Sequence, residues 1–246
     1  MRNLFLGFII FFLFFLGNQS YSQEIALGDP EMLVVRKRQW DIYGTLHTNG
    51  LGLGFRLSNS PTIHFIRGFD FEYTYYRHFK ERRSRIDYSN VLVYGKLNYF
   101  GQVRAGYGFT RVINTKPYWG GVEVGYFLYG GISLGLSVPV YLKIVDENKI
   151  VSQRYDPDKH TRSNIYSKDS FFKGFKNMKF HPGVYLKTGM SFDFAKDDAL
   201  ILKLDFGAAV DAYYPPVEKM AYVNKQYVLL TGFVTFHVGK RRANYE

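Results

Sequence analysis

Six histidines carry the widest chemical range in this sequence: His47, His64, His78, His160, His181 and His237. A neutral imidazole can bind a metal or move a proton near neutral pH. No two of the six have the spacing that sets two imidazoles on one helix face, so neither a metal nor another cofactor is expected. The chain has no cysteine, which removes thiolate ligands, catalytic thiols and disulfides. His47-Thr48-Asn49-Gly50 sets a hydroxyl beside an imidazole, the raw material of ester hydrolysis. On a strand, however, adjacent side chains point to opposite faces. A nucleophile and its base must lie within hydrogen-bond reach on one side, so lipid hydrolysis is a minor alternative. Gly52 and Gly54 in GLGLGF make no phosphate loop, because no helix follows. The sequence therefore points to a protein that is not an enzyme.

The elements that must position these groups follow from composition and period. The chain has 246 residues, 19% aromatic and 22% charged, with 21 Tyr, 23 Phe and 24 Gly. So many aromatics exclude a disordered chain, and Tyr, Phe and Gly together favour β-sheet with many turns over an α/β enzyme. The period is two. In 200–212, Leu200, Leu202, Leu204 and Phe206 alternate with Lys203, Asp205 and Gly207. The same pattern recurs in 184–194, 65–75, 103–110, 121–138 and 230–238. A soluble sandwich would bury the apolar face. A membrane barrel turns it to lipid and packs a polar lumen. Glycines and charges of both signs on the polar face, and aromatics near strand ends, favour the barrel.

Eight strands are expected, at 41–57, 62–77, 100–112, 119–128, 131–145, 183–194, 199–214 and 225–238. The fold class is thus all-β, an eight-stranded antiparallel transmembrane β-barrel. In the first strand the apolar parity slips between Leu46 and Leu51, which predicts a bulge at Asn49-Gly50. Tyr129–Gly131 is expected to be a tight periplasmic turn. With both ends of an even barrel on one side, 78–99 becomes a long periplasmic excursion and the polar 146–182 segment an outer loop.

Residues 1–22 read as a secretory signal: a positive start at Arg2, an apolar run from Leu4 to Leu16, and Ser20-Tyr21-Ser22 before a cut at Gln23. The expected order is signal 1–22, periplasmic segment 23–40, outer-membrane barrel 41–238 and basic periplasmic tail 239–246. The net charge of +11 gathers in three runs: Arg36, Lys37 and Arg38; Lys80, Arg82, Arg83 and Arg85; Lys240, Arg241 and Arg242. The expected topology places all three on one periplasmic rim, as a collar for an acidic protein partner or for lipid phosphates. Nucleic acid is excluded as a partner by the export signal. A lumen network of Asp70, Glu72, Arg104, Glu123, Lys187, Asp193, Lys203, Asp205 and Asp211, with Lys143 also read as luminal, must pair internally, since unpaired buried charges cost several kcal/mol. That predicts a plugged barrel, with a channel as the alternative.

GTLHTNGLGLGFR (44–56), YGKLNYFGQVRAGYG (94–108) and YWGGVEVGYFLYGGISLGLSVPVYLKI (118–144) resemble a family of small outer-membrane barrels of Bacteroidota, over most of 40–240. His47-Thr48-Asn49-Gly50 also has a superficial likeness to the H-x-S-N motif of outer-membrane deacylases, from which Thr48 departs. The barrel resemblance implies an accessory subunit of an envelope machine, either the barrel-assembly complex or the type IX secretion apparatus, with outer-membrane lipid and other outer-membrane or periplasmic subunits as partners. The end of the chain departs from the usual terminal aromatic: GKRRANYE follows Val238.

Overall fold

The computed structural model describes residues 37–62, 64–77, 81, 83–85, 91–93, 95–115, 121–146, 149–156, 159, 165–197, 199–221 and 224–243. The expected signal and the segment up to Arg36 lie outside the described residues, as do Lys80 and Arg82. In chain order the strands are β1 (Lys37–His47), β2 (Gly50–Thr62), β3 (Phe65–Tyr76), β4 (Arg83–Arg85), β5 (Val91–Val93), β6 (Asn98–Asn114), β7 (Glu123–Pro139), β8 (Tyr141–Asp146), β9 (Lys149–Arg154), β10 (Ile165–Lys168), β11 (Lys179–Asp193), β12 (Leu200–Val217) and β13 (Gln226–Ala243). A 3-10 helix, Phe171–Asn177, precedes β11. Eight strands close into a barrel in the order β1-β13-β12-β11-β7-β6-β3-β2, each antiparallel to its neighbours.

The expected number of strands is correct, but three of the expected strands are not: 41–57 is two strands, and 119–128 and 131–145 are one. The first, 41–57, is a hairpin. His47 pairs with Gly50 and Leu46 with Leu51 across a two-residue turn. Partners across such a turn always have opposite parity, which is the slip seen in the sequence. Asn-Gly between alternating segments is a hairpin signal, not a bulge. A Cβ on Gly50 would lie 2.0 Å from the Tyr75 carbonyl oxygen, so no side chain fits there. The opposite error occurs at Tyr129–Gly131, where β7 runs straight through. Val124, Tyr126, Leu128, Ile132, Leu134 and Leu136 share one parity across those glycines, as one continuous strand requires. One missed hairpin and one invented turn cancelled in the count.

Their correction reverses the placement of the connections between the two errors and leaves 146–182 at the end opposite the termini. Call the end where β1 starts and β13 finishes the terminal end. It carries the short connections 63–64, 115–122 and 194–199. The far end carries the 48–49 turn, the long 77–97 and 140–178, and 218–225, which is as short as 115–122. The 78–99 excursion, expected on the side of the termini, therefore lies opposite them. Segment 140–178 forms its own sheet, ordered β10-β8-β9, over a core of Val140, Leu142, Ile144, Tyr155 and Ile165. Lys143, expected in the lumen, is exposed on β8 of this sheet.

The expected basic tail is largely strand: β13 continues to Ala243, pairing Gly239–Ala243 with Asp41–Lys37 of β1. The barrel thus extends from 37 to 243 rather than from 41 to 238.

Candidate functional site

Alternation along each barrel strand sends one residue in two inward, and those residues fill the interior. Glycines make the room. A Cβ on Gly54 would lie 2.1 Å from the Tyr43 ring, and one on Gly106 would lie 2.4 Å from the Tyr185 hydroxyl. Interior tyrosines occupy the space that inward glycines leave on facing strands.

Three tiers of side chains cross the interior. In the middle tier, Arg104 on β6 reaches Asp211 on β12 at 2.5 Å and Glu72 on β3 at 2.9 Å. Lys187 on β11 approaches Glu72 at 3.2 Å, and Thr45 donates to the same carboxylate at 2.8 Å. Arg56 on β2 donates to Asp70 at 2.9 Å and reaches Asp205 on β12 at 3.5 Å. Its guanidinium lies 4.3 Å from the centre of the Tyr129 ring. Tyr43 donates to Asp70 at 2.9 Å. Phe127, Tyr129, Ala209 and Phe233 pack between these pairs.

In the terminal-end tier, His237 has Asp41 at 2.6 Å from Nδ1 and Asp205 at 3.0 Å from Nε2. The imidazole is thereby held between carboxylates of two different strands. Arg241 pairs with Asp193, and Lys203 is buried beside them. Six inward carboxylates (Asp41, Asp70, Glu72, Asp193, Asp205 and Asp211) are thereby set against Arg56, Arg104, Lys187, Lys203, Arg241 and His237. In the far-end tier, Tyr76, Phe100, Tyr213, Val217 and Leu229 close the mouth. Gln102 lies within hydrogen-bond reach of Tyr76 and Tyr213 there.

Of the nine residues expected in the lumen network, eight are buried inside the barrel. Glu123 is only half-buried, at the terminal-end start of β7. Sequence reasoning missed Arg56, Asp41 and His237 as members. Beyond the parity slip Arg56 lies on the face opposite Leu53, Phe55 and Leu57, so its inward position was legible. Asp41 and His237 already had inward parity, and that was the signal available.

The three basic runs do not share a rim. Lys37, Arg38 and Lys240–Arg242 meet at the terminal end through the β1–β13 pairing. Arg83 and Arg85 lie in β4, at the far end. Arg241 is turned inward onto Asp193 rather than outward to a partner. His47 is half-buried, its ring tilted against that of Tyr76 with centres 4.5 Å apart, while Thr48 sits in the turn, so the two form no nucleophile–base pair. Within the described residues no cluster of ligating side chains could hold a metal.

Two charged groups outside the barrel strands organise the far end. Asp169 accepts from the Lys173 ammonium at 2.7 Å, from Ser152 and from the Ser170 amide, and these bonds, led by Lys173, hold its carboxyl down at about 2. Lys219, beyond the end of β12, lies 4.9 Å from the Tyr76 ring centre and 5.0 Å from that of Phe100, and burial draws its ammonium down to about 8. The unfolded chain keeps that proton up to the ordinary value of 10.5. Between those values the unfolded state binds more protons, so stability rises with pH; below about 8 both states carry the charge and its burial cost is complete. Lys219→Met is therefore expected to raise stability at pH 7, with the advantage fading between about 8 and 10.5. Denaturant unfolding across that range checks it, and a pH-independent difference contradicts it.

No protein-family profile matches the chain, and no curated protein sequence matches it. Among solved structures it is similar to Ail, the attachment invasion locus protein of Yersinia pestis, in complex with the heparin analogue sucrose octasulfate. That match has a TM-score of 0.41 and 9% identity, over 85% of this chain and 99% of that one. It is also similar to Neisserial surface protein A (TM-score 0.39, 11% identity, 83% and 96% covered). A third similar structure is the N-terminal β-barrel domain of Pseudomonas aeruginosa OprF (TM-score 0.36, 8% identity, 84% and 97% covered).

Proposed function

We propose that the chain is an outer-membrane barrel, with its termini at the periplasmic rim, that serves without catalysis as a structural subunit of an outer-membrane protein-assembly or secretion complex. Two features support the membrane reading. Leu53, Ile132 and Leu230 stand 68%, 69% and 69% exposed on the outer wall, an arrangement water would disfavour and lipid accepts. The two long connections, 77–97 and 140–178, both lie opposite the termini, as in bacterial barrels.

The observation that carries the subunit reading is the filled interior. Ion pairs reach across it between strands three positions apart in the ring, and aromatics pack the gaps. A barrel of eight strands has just enough interior for its own side chains. With no lumen to conduct through, function falls to the surfaces: the folded far-end sheet and the two separated basic groups.

Two measurements test this. Planar-bilayer recording is expected to show no stable conductance; stable openings would favour the channel alternative. Affinity purification from native envelopes in mild detergent is expected to retain stoichiometric envelope subunits. Arg82, Arg83 and Arg85 changed to Glu would release those held at the far end. Arg38, Lys240 and Arg242 changed to Glu would release those held at the terminal end. If the wild-type chain retains no subunit, the reading fails. If both variants keep the full set, the basic runs are not the contacts.

A further inference from the structure

Outward-facing charge on the barrel is restricted in sign and place. Among the described residues of the eight barrel strands, the charged side chains on the outer face are Arg38, Arg67, Arg111, Lys240 and Arg242. All are cations, and all lie toward the terminal end. Arg38 and Arg242 are direct cross-strand partners, a like-charge placement that is destabilising unless an anion lies between them.

Arg67 and Arg111 have the most developed surroundings. Arg67 on β3 pairs in register with Phe109, and Phe65 with Arg111 on β6, so the two arginines are diagonal neighbours on one face, about 7–8 Å apart along the backbone. Both are exposed, and among the described residues no carboxylate is within ion-pair distance of either. Beside them the wall is indented by a groove of about 500 Å³, with Arg67 at its edge and Phe65, Tyr107, Phe109, Leu128 and Leu186 as its walls. Gly130 is its floor. Tyr107, Gly130 and Leu186 form one cross-strand row on β6, β7 and β11, and the missing side chain opens the gap between its neighbours. That row lies two residues, about 7 Å, further from the terminal end than Arg67.

We propose that this face is a binding site for one glycerophospholipid of the terminal-end leaflet, its phosphate bridging Arg67 and Arg111 and one acyl chain lying over Gly130. The inference rests on the membrane-barrel reading. A guanidinium matches a phosphate in two-pronged geometry and sheds water more readily than an ammonium. The apolar groove continues from the cations toward the middle of the wall, which is the order in which headgroup and chain follow in a phospholipid. A free phosphate would use the arginines and leave the groove empty, so the groove selects the lipid.

The test uses the full mature chain, stripped of lipid in non-ionic detergent and mixed with phosphatidylglycerol, with retained lipid read by native mass spectrometry. One retained phosphatidylglycerol is expected on the wild type. Retention should fall about tenfold in the Arg67→Gln/Arg111→Gln double variant. It should fall similarly in Gly130→Leu, which fills the groove with the arginines intact. Glycerophosphate, which has no chains, should not displace the lipid. Equal retention in wild type and both variants, or full displacement by glycerophosphate, overturns the site. Folding into phosphatidylglycerol-containing vesicles, read by heat-modifiable gel mobility, separates the two failures: a wild type that does not insert overturns the barrel reading, whereas normal insertion with unchanged lipid retention overturns only the site.

Discussion

Arg104→Met is expected to destabilise the barrel by about 3–5 kcal/mol, the largest effect of any single change considered. Arg104 is 3% exposed and is held by Asp211 at 2.5 Å and Glu72 at 2.9 Å. Methionine matches much of the stem but leaves the Asp211 carboxylate buried without its cation. It also leaves Glu72 with Lys187 as its remaining cationic partner, at 3.2 Å. The cost comes from the uncompensated carboxylates rather than from lost attraction, since a buried pair contributes little net stability against an apolar substitute. The triple variant Arg104→Met/Glu72→Gln/Asp211→Asn should therefore recover most of the loss, although Lys187 then loses its carboxylate. Urea unfolding of the vesicle-inserted barrel checks both. If the triple variant is no more stable than Arg104→Met, the buried-charge account is wrong.

Gly131→Val is the second large effect, expected to cost about 1–3 kcal/mol or more, whereas Gly130→Ala should fall within about 0.5 kcal/mol of wild type. The two glycines are adjacent in sequence and opposite in environment. A Cβ at Gly131 would lie 2.3 Å from the Ala105 carbonyl oxygen and 2.4 Å from the Gly106 Cα, both backbone atoms that cannot turn aside. A Cβ at Gly130 meets the Leu186 Cδ1 at 3.4 Å, an ordinary contact on the outer wall. A turn at Tyr129–Gly131 would make both positions sensitive; a continuous strand makes only the inward one so. Refolding yield and urea midpoint of the two variants decide between these outcomes.

Several parts of the fold were legible along the chain. Leu200–Val217, Lys179–Asp193 and Gln226–Ala243 are strands whose inward and outward residues follow directly from alternation, because the two faces of a barrel wall meet different surroundings. The interior positions of Asp70, Glu72, Asp205 and Asp211 have the same origin. The hairpin at Thr48-Asn49 was also encoded, as a change of parity, but a change of parity marks either a bulge or a turn. The pairing of β1 with β2 settles it as a turn, and the other edge of β1 is taken by β13, which is remote in sequence.

Tertiary structure alone decided which charges meet. Arg56 and Asp205 are 149 residues apart and His237 and Asp41 are 196 apart, so nothing local in the sequence links them; barrel closure brings them within a few ångströms. It also decided which end each basic run occupies, because one undetected turn inverts the direction of the strands that follow until a second error restores it. The sequence by itself determined an all-β chain with one polar and one apolar face per strand, since side-chain direction along a strand is a local property. Ring order, loop placement and the outward arginine pair at Arg67 and Arg111 emerged only from tertiary pairing, since they depend on cross-strand register, which is not local.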